Sequence, residues 1–540
     1  MCSKVYQTSK HLEGSEAVAQ PMAQMREDVS RSLALNKDLQ RLVERALQLD
    51  QGMKVGWSRD GEPNPKQGEM GIAPGLPSGA RLRILGALKD CVAVFSTGGS
   101  FTLEGQAGDY FGAWNNGGHI SAERGVGDFV AHSMSSGRVV IRDGAGNDAG
   151  SCMSGGILVI RGDCGNRIGG GMSAGDIIIH GDVGNVPGVG MSGGRIIING
   201  RCPPIPNGVK MSTLSTAECK KLNSEMADPT LEIPADAVCL VVDNDSMVNT
   251  VLPQRKNSGG WDGIALVNSG DDKPPRHSER DTMVLLGERG GECEALGLPL
   301  PLLPMCEDGK SLNKGRASKQ PFLVRTNPRA IDLVLLDQQN LNQAANLLKE
   351  AGGVVLDISA IPSLNSPRLD GLIVSLKGLV GEDSPIVLLS DLDEVERLHV
   401  LSANSDVDGC ISRLGDPSGR TAASALPLIG RSAAANSLAN DGVLLGLELD
   451  WDATAQDLAI ACSAGCKMVI CSIPGNGITA INQWLEEQAE NLEGWLIQLG
   501  IVSIDQLTRK HLRAINNETA ATSGLRLSGY GRPLPHWFAS

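Results

Sequence analysis

Apolar residues between Pro77 and about Met211 recur at a fixed step of 19. Val139, Leu158, Ile177 and Ile196 form one column, and Ile141, Ile160, Ile179 and Ile198 form another two residues on. Alternate residues of a strand point the same way, so both columns face one side. Met134, Met153, Met172 and Met191 keep the same step, and stepping backwards opens repeats at Asn115, Ser96 and Pro77. Strands stacked about 4.8 Å apart would turn these columns into continuous aliphatic ladders. The pattern predicts a right-handed parallel β-helix of about seven 19-residue coils over 77–211. The intervening column, Val140, Val159, Ile178 and Ile197, is apolar as well. Something is therefore expected to pack on it from outside.

The flanks read differently. Residues 1–76 contain PMAQMREDVSRSLALNKDLQRLVERALQLD, whose leucines follow a helical spacing and predict an amphipathic helix. After the last repeat, the prolines of RCPPIPNGVK would stop another coil from adding. Residues 212–330 are expected to be an irregular connection, with strands at DAVCLVVDND and TMVLLGE and an exposed loop at GDDKPPRHSERD. From Ile331 to Ser540 short apolar runs (IDLVLLD, VVLDIS, PIVLLS, DGCIS, GVLLGLEL, CKMVICS) alternate with helical stretches such as QQNLNQAANLLKEAG and DLDEVERLHVLSANS. That alternation predicts an α/β domain with a parallel sheet, as a barrel or an open doubly wound form.

Composition agrees with this layout. Glycine reaches 67 of 540 residues and aromatics only 3%, which suits tight turns around aliphatic cores better than a helical bundle. The net charge of -14 disfavours a nucleic-acid partner. No 18-residue apolar run suggests a membrane span, and the start MCSKVYQTSK lacks the layout of a secretory signal. A cytoplasmic location is expected, with the 13 scattered cysteines as reduced thiols rather than a disulfide framework.

Gly108, Gly127, Gly146, Gly165 and Gly184 form a further column, beside Asp90, Asp109, Asp128, Asn147, Asn166 and Asn185. Gly-Asx pairs suit left-handed or tight-turn corners, and hydrogen bonding at those corners is the expected role of the Asx side chains. Three neutral Asn residues argue against metal binding.

With GDYFGAWNNGG and this corner spacing, the repeats resemble the GXGXG domain of the glutamate synthase family. The later region resembles a reduced form of that family's FMN-binding barrel, on LDGLIVSLKGLVGEDSPIVLL and on GDPSGRTAASA from Gly415. The tail LGIVSIDQLTRKHLRAINNETAATSGLRLSGY resembles the FMN subunit of N-methylglutamate synthase, so the layout is similar to a fusion of that enzyme's β-helix and FMN subunits. The resemblance implies FMN as cofactor, with Gly415, Ser418, Gly419, Thr421 and Ser424 as the flavin or phosphate loop. It also implies protein partners, either other glutamate synthase-type subunits or further copies of this chain.

Several residues depart from that pattern. Leu388 or Leu389 stands where the resemblance implies a Lys near the flavin, and leucine cannot stabilise a reduced anionic ring. ELDWDATAQDL stands where it implies a Gly-Gly phosphate loop, and Glu448, Asp450 and Asp452 would repel phosphate. Cys462, Cys466 and Cys471 raise an iron–sulfur reading, but across a helix end and an apolar strand they read as buried thiols. Cys2 reads as an ordinary terminal residue, and His119, His132 and His180 have no metal-ligand spacing.

Two functions follow as expectations. One is a glutamate synthase-type oxidoreductase subunit that reduces an imine through FMN. The other is a scaffold or regulatory subunit, a pseudoenzyme whose flavin site has decayed.

Overall fold

The computed structural model describes residues 10–57, 65–226, 228–234, 236–243, 256–268, 300–415, 419–475 and 477–530, with side chains from residue 26 onward. The chain divides into two compact units. The first comprises Met1–Thr250, Gln339–Lys349 and Leu364–Asp383; the second comprises Val251–Gln338, Glu350–Ser363 and Ser384–Ser540.

The first unit opens with helix α1 (Lys10–Gln48) and is built on a 10-stranded sheet. Its strands are β1 (Met53–Val55), β2 (Arg81–Leu85), β3 (Ser100–Glu104), β4 (Asn116–Ala122), β5 (Ser136–Ile141), β6 (Ser154–Ile160), β7 (Ala174–Ile179), β8 (Arg195–Ile198), β9 (Val209–Thr213) and β10 (Val238–Val242). From β1 to β8 every strand pairs in parallel with the next one in sequence. Leu82, Phe101, Ile120, Val139, Leu158, Ile177 and Ile196 are partners across successive pairs, which is the 19-residue register read from the sequence. Their side chains are at most 2% exposed, and each contributes roughly 1.5–3 kcal/mol of burial.

A second set of parallel bridges keeps the same step: Ala107 to Val126, Ala145, Cys164 and Val183. Beside it the Asx column forms a hydrogen-bond ladder. Asp109 donates its backbone N–H to Asp90 Oδ1 at 2.8 Å, and the same bond repeats from Asp128 to Asp109 and from Asn147 to Asp128, both at 2.7 Å. It continues from Asn166 to Asn147 at 2.9 Å and from Asn185 to Asn166 at 2.8 Å. The next position is Pro204, which has no N–H to give, so the ladder ends there.

The glycine column needs a correction. None of the five has a positive φ; the residue after each Asx is left-handed instead, namely Cys91, Tyr110, Phe129, Asp148, Arg167 and Val186. Glycine is required instead for close approach. A Cβ on Gly127 would collide with Asp109 Oδ1, and one on Gly184 would lie 2.6 Å from the Gly165 carbonyl oxygen.

The outer column changes character along the sheet, from Arg83, Thr102 and Ser121 to the apolar Val140, Val159, Ile178 and Ile197. Helix α2 (Thr216–Met226) covers the apolar end with Cys219, Leu222 and Met226, joined by Leu231, Ile233 and Cys239. The expected external cover is therefore a stretch of the region read as an irregular connection. Strand β10 pairs antiparallel with both β8 and β9, and its Leu240 joins the inner core.

Helix α3 (Ala344–Leu347) and helix α4 (Ser366–Val380) also belong to the first unit, although in sequence they lie among the strands of the second. α4 packs on α1. Its Arg368 reaches the Asx column, with Nε 2.7 Å from Asp109 Oδ2 and an Nη2 3.2 Å from Asp128 Oδ2.

The second unit is a closed eight-stranded barrel of β12 (Leu302–Asp308), β13 (Leu323–Thr326), β14 (Leu333–Leu336), β15 (Gly353–Asp357), β16 (Ile386–Asp391), β17 (Gly409–Arg413), β18 (Leu444–Glu448) and β19 (Met468–Cys471). Every neighbouring pair is parallel, and β19 closes on β12. Of the two forms expected, the barrel is the one adopted. Its first two strands precede Ile331, inside the stretch expected to be irregular; TMVLLGE and GDDKPPRHSERD lie outside the described residues. Helices α5 (Val395–Asn404), α6 (Ala422–Ala435), α7 (Ala455–Ser463), α8 (Ile478–Leu499) and α9 (Asn517–Ser523) complete the unit, with an antiparallel pair of β11 (Ile264–Leu266) and β20 (Leu512–Ala514).

Candidate functional site at the barrel mouth

Side chains of a closed barrel alternate between interior and exterior. Leu303, Leu323, Leu335, Val355, Val387, Leu389, Ile411 and Ile470 fill the interior as one cluster. Leu389, on β16, thus faces inward at the place where the resemblance implied a lysine. Leu388 has the opposite parity, and both are fully buried.

Two residues past Leu323, Leu335, Val355, Leu389 and Ile411, and at Glu448 on β18, the chain reaches the C-terminal mouth. There it places Arg325, Asp337, Asp357, Asp391, Arg413 and Glu448. These are four carboxylates and two guanidinium groups, and they are already paired. Arg325 Nη1 donates to Asp337 at 2.7 Å. Arg413 donates in three directions: Nε to Glu448 at 2.6 Å, Nη1 to Asp391 at 2.8 Å and Nη2 to Asp357 at 2.7 Å. Burial disfavours the charge on Arg413, but Glu448 and Asp357 outweigh it, and its pKa is raised above the ordinary value. Asp357 is further engaged by the backbone N–H and hydroxyl of Ser359.

Arg413 was missed in the sequence. The strand was read as DGCIS, one residue short of it. The available signal was parity, since Arg413 follows the inward Ile411 by two.

The candidate loop follows β17 directly. Gly415 has φ +82, and a Cβ there would stand 2.6 Å from Asp450 Oδ2 and 3.2 Å from the carbonyl oxygen of Lys256. Asp450 is held by Ser258, which donates its N–H at 2.8 Å and its hydroxyl at 2.5 Å. Gly419 has φ +74 and lies against the Lys256 side chain, while Ser418 lies outside the described residues. Thr421 caps α6 by accepting from the Ser424 N–H, and Ser424 Oγ donates back to the Thr421 carbonyl at 2.8 Å. The Ala422 N–H donates to the Ser258 carbonyl at 3.1 Å.

The described residues of this loop do not fit the phosphate of FMN. A helix N-terminus attracts an anion through its free N–H groups. Here Ser258 and Thr421 take two of those groups, and the Gly415 turn is already apposed to the chain's own anion, Asp450. Of the two guanidinium groups at the mouth, Arg413 is committed to three carboxylates and Arg325 to Asp337.

The three cysteines of the iron–sulfur reading are placed apart along the chain. Cys462 lies in α7, Cys466 precedes β19 and Cys471 ends it, all buried. Burial pushes each thiol up to about 12, which opposes the thiolate a cluster ligand needs. Among the described residues no group of three or more His, Cys, Asp or Glu could hold a metal ion. His119 is exposed on β4, and His180 is half-buried with its pKa lowered by burial. His132 is buried, its Nδ1 2.7 Å from Ser151 Oγ, and burial lowers it to about 4. Cys2 lies outside the described residues.

Residues 72–229 match the GXGXG motif family. The match therefore covers the parallel 19-residue register, its Asx ladder and the α2 cover, and stops short of the barrel. Solved structures with related geometry include a flavocytochrome b2 mutant with benzoylformate, at 15% identity over 39% of this chain and 68% of that one, with a TM-score of 0.30. The recombinant flavin-binding domain of baker's yeast flavocytochrome b2 gives 13% identity over 47% and 76%, with a TM-score of 0.31. A mandelate oxidase mutant gives 14% over 47% and 88%, with a TM-score of 0.30. Likeness at this level carries no inference about chemistry. Comparison with curated proteins gives no match. Among the described residues no helix is long and apolar enough to cross a membrane.

Proposed function

We propose that this chain is a glutamate synthase-related subunit in amino-acid metabolism that acts as a scaffold or regulatory partner and performs no flavin chemistry of its own. On this reading the stacked strands of the first unit wind as a right-handed parallel β-helix of about seven coils. The family match at 72–229, the unbroken 19-residue register and the second set of parallel bridges support it. The layout is that of fused β-helix and FMN subunits of an N-methylglutamate synthase, working in the cytoplasm. Its partners are other subunits of such a complex or further copies of the chain.

The observation that carries the non-catalytic part is Arg413 held by Asp357, Asp391 and Glu448. A flavin needs preorganised positive charge at its phosphate and ring. This mouth has spent its inward guanidinium groups on its own carboxylates.

The test is a visible spectrum of the purified full chain, with mass spectrometry of whatever co-purifies, before and after FMN is added. The expected result is a colourless protein that retains no flavin on gel filtration. Stoichiometric FMN, or glutamate-forming turnover by the isolated chain, would overturn it. One feature favours that second outcome: Lys256, whose side chain lies against Gly419, brings a cation to the candidate loop. Lys256→Ala should then abolish any flavin retention.

A further inference from the structure

In the second unit, away from the mouth, a cavity of about 440 Å³ opens between α6, the C-terminal end of α7 and the segment running from β20 to α9. Its floor is apolar, with Leu426, Pro427, Leu512 and Leu525. Among the described residues its charged lining side chains are Arg431 and Arg509, and no carboxylate lines it. Arg509 donates to the carbonyl of Gly524 at 3.0 Å, which fixes one guanidinium at the wall. Among the described residues neither arginine pairs with an acid, although the chain carries 62 Asp and Glu against 48 Lys and Arg. In so acidic a protein, two arginines that line one cavity with leucines, neither paired with an acid among the described residues, are a specific arrangement. Guanidinium groups recognise carboxylate and phosphate oxygens, and a floor of leucines takes a hydrocarbon or aromatic body.

We propose that this cavity binds a small organic anion, one carrying a carboxylate or phosphate on an apolar body. The anionic group sits between Arg431 and Arg509, and the body lies on Leu512 and Leu525. None of the lining residues belongs to the barrel mouth, so the site stands whether or not the mouth takes a flavin. A ligand there would bridge α6 to the segment that closes the chain's C-terminal part.

The experiment is titration calorimetry on the full chain with phenyl phosphate, benzoate, inorganic phosphate and benzamidine as probes. Phenyl phosphate or benzoate is expected to bind saturably, and the stronger of the two names the anionic group. Inorganic phosphate should bind about tenfold more weakly, for want of the apolar body. Benzamidine, a cation of the same shape, should not bind. Arg431→Gln should weaken the favoured probe about tenfold, and added salt should weaken it further. Arg431 is exposed and its side chain makes no hydrogen bond or ion pair among the described residues, so this variant should stay folded where Arg509→Gln would release Gly524. Saturable binding by neither organic anion, equal binding of benzamidine, or an Arg431→Gln variant with unchanged affinity would each overturn the proposal.

Discussion

Arg413 and Glu448 are partners in register on adjacent strands, joined at 2.6 Å, and the guanidinium is committed before any ligand arrives. Arg413→Met would leave Asp357, Asp391 and Glu448 facing one another without their cation. Removing one partner of a buried ion cluster costs about 3–5 kcal/mol. Urea denaturation should read that loss, with Arg413→Lys falling between, since one ammonium cannot reach three carboxylates as a fork does. Because the pKa of Arg413 is raised in the folded state, its contribution is full below the ordinary arginine value and is lost only as pH rises through the still higher folded one. The difference between wild type and Arg413→Met should therefore carry no arginine titration from neutral to mildly alkaline pH. A variant as stable as wild type would mean that the cluster does not clamp the mouth.

Asp90 begins the Asx ladder, and burial, the largest influence on it, raises its pKa above 3.8. A raised folded pKa means the folded state holds its proton more tightly than the unfolded chain. Stability from this group is present below the unfolded value and is lost as pH rises through the folded one. Asn already fills the same role at 147 and 166, keeping the acceptor without the charge. Asp90→Asn should therefore gain on wild type as pH rises above the ordinary carboxylate value and through the raised folded one, and the gap should then level off. Paired denaturation midpoints across that range measure it, and a gap that closed with rising pH would contradict the burial argument.

Much of the first unit was readable because its signal is repeated. Seven occurrences of one column fix both register and facing, so Val139, Leu158, Ile177 and Ile196 could be placed inside without any structure. The role of Gly127 was misread, because a glycine needed for close approach and one needed for a left-handed turn look alike in sequence. The barrel strands Leu302–Asp308 and Leu323–Thr326 were missed since each occurs once, and no neighbour in sequence shares its register. At the mouth the departures at Leu389 and Asp450 were visible, but the pairing that gives them meaning was not. Arg413 meets Asp357 across 56 residues and Asp450 meets Ser258 across 192, and such contacts leave no periodic trace.

Thiol reactivity should follow burial. Cys462, Cys466 and Cys471 are buried and pushed up to about 12, so they hold almost no thiolate near neutral pH. Under native conditions iodoacetamide should spare all three, while the half-buried Cys152, Cys202 and Cys306 label ahead of them among the described cysteines. Peptide mass spectrometry after a timed pulse gives the order. Early labelling of Cys466 would show that the segment between α7 and β19 opens locally, and would restore interest in that trio as ligands.

Gly125 and Gly127 lie two residues apart and should respond oppositely to alanine. A Cβ on Gly125 would meet nothing closer than 3.5 Å, at the Gly144 carbonyl, which is ordinary contact. A Cβ on Gly127 would occupy the space of Asp109 Oδ1, the atom that accepts the Asp128 N–H. Asp109 cannot swing away freely, because its other oxygen receives Arg368 at 2.7 Å. Gly127→Ala must therefore break the ladder bond or the ion pair to α4, at about 2–4 kcal/mol. Gly125→Ala should stay within about 0.5 kcal/mol of wild type. Hydrogen exchange adds the location: protection should fall at Asp128 and along α4 in the first variant and remain unchanged in the second. Equal effects from the two substitutions would remove close approach as the reason for the glycine column.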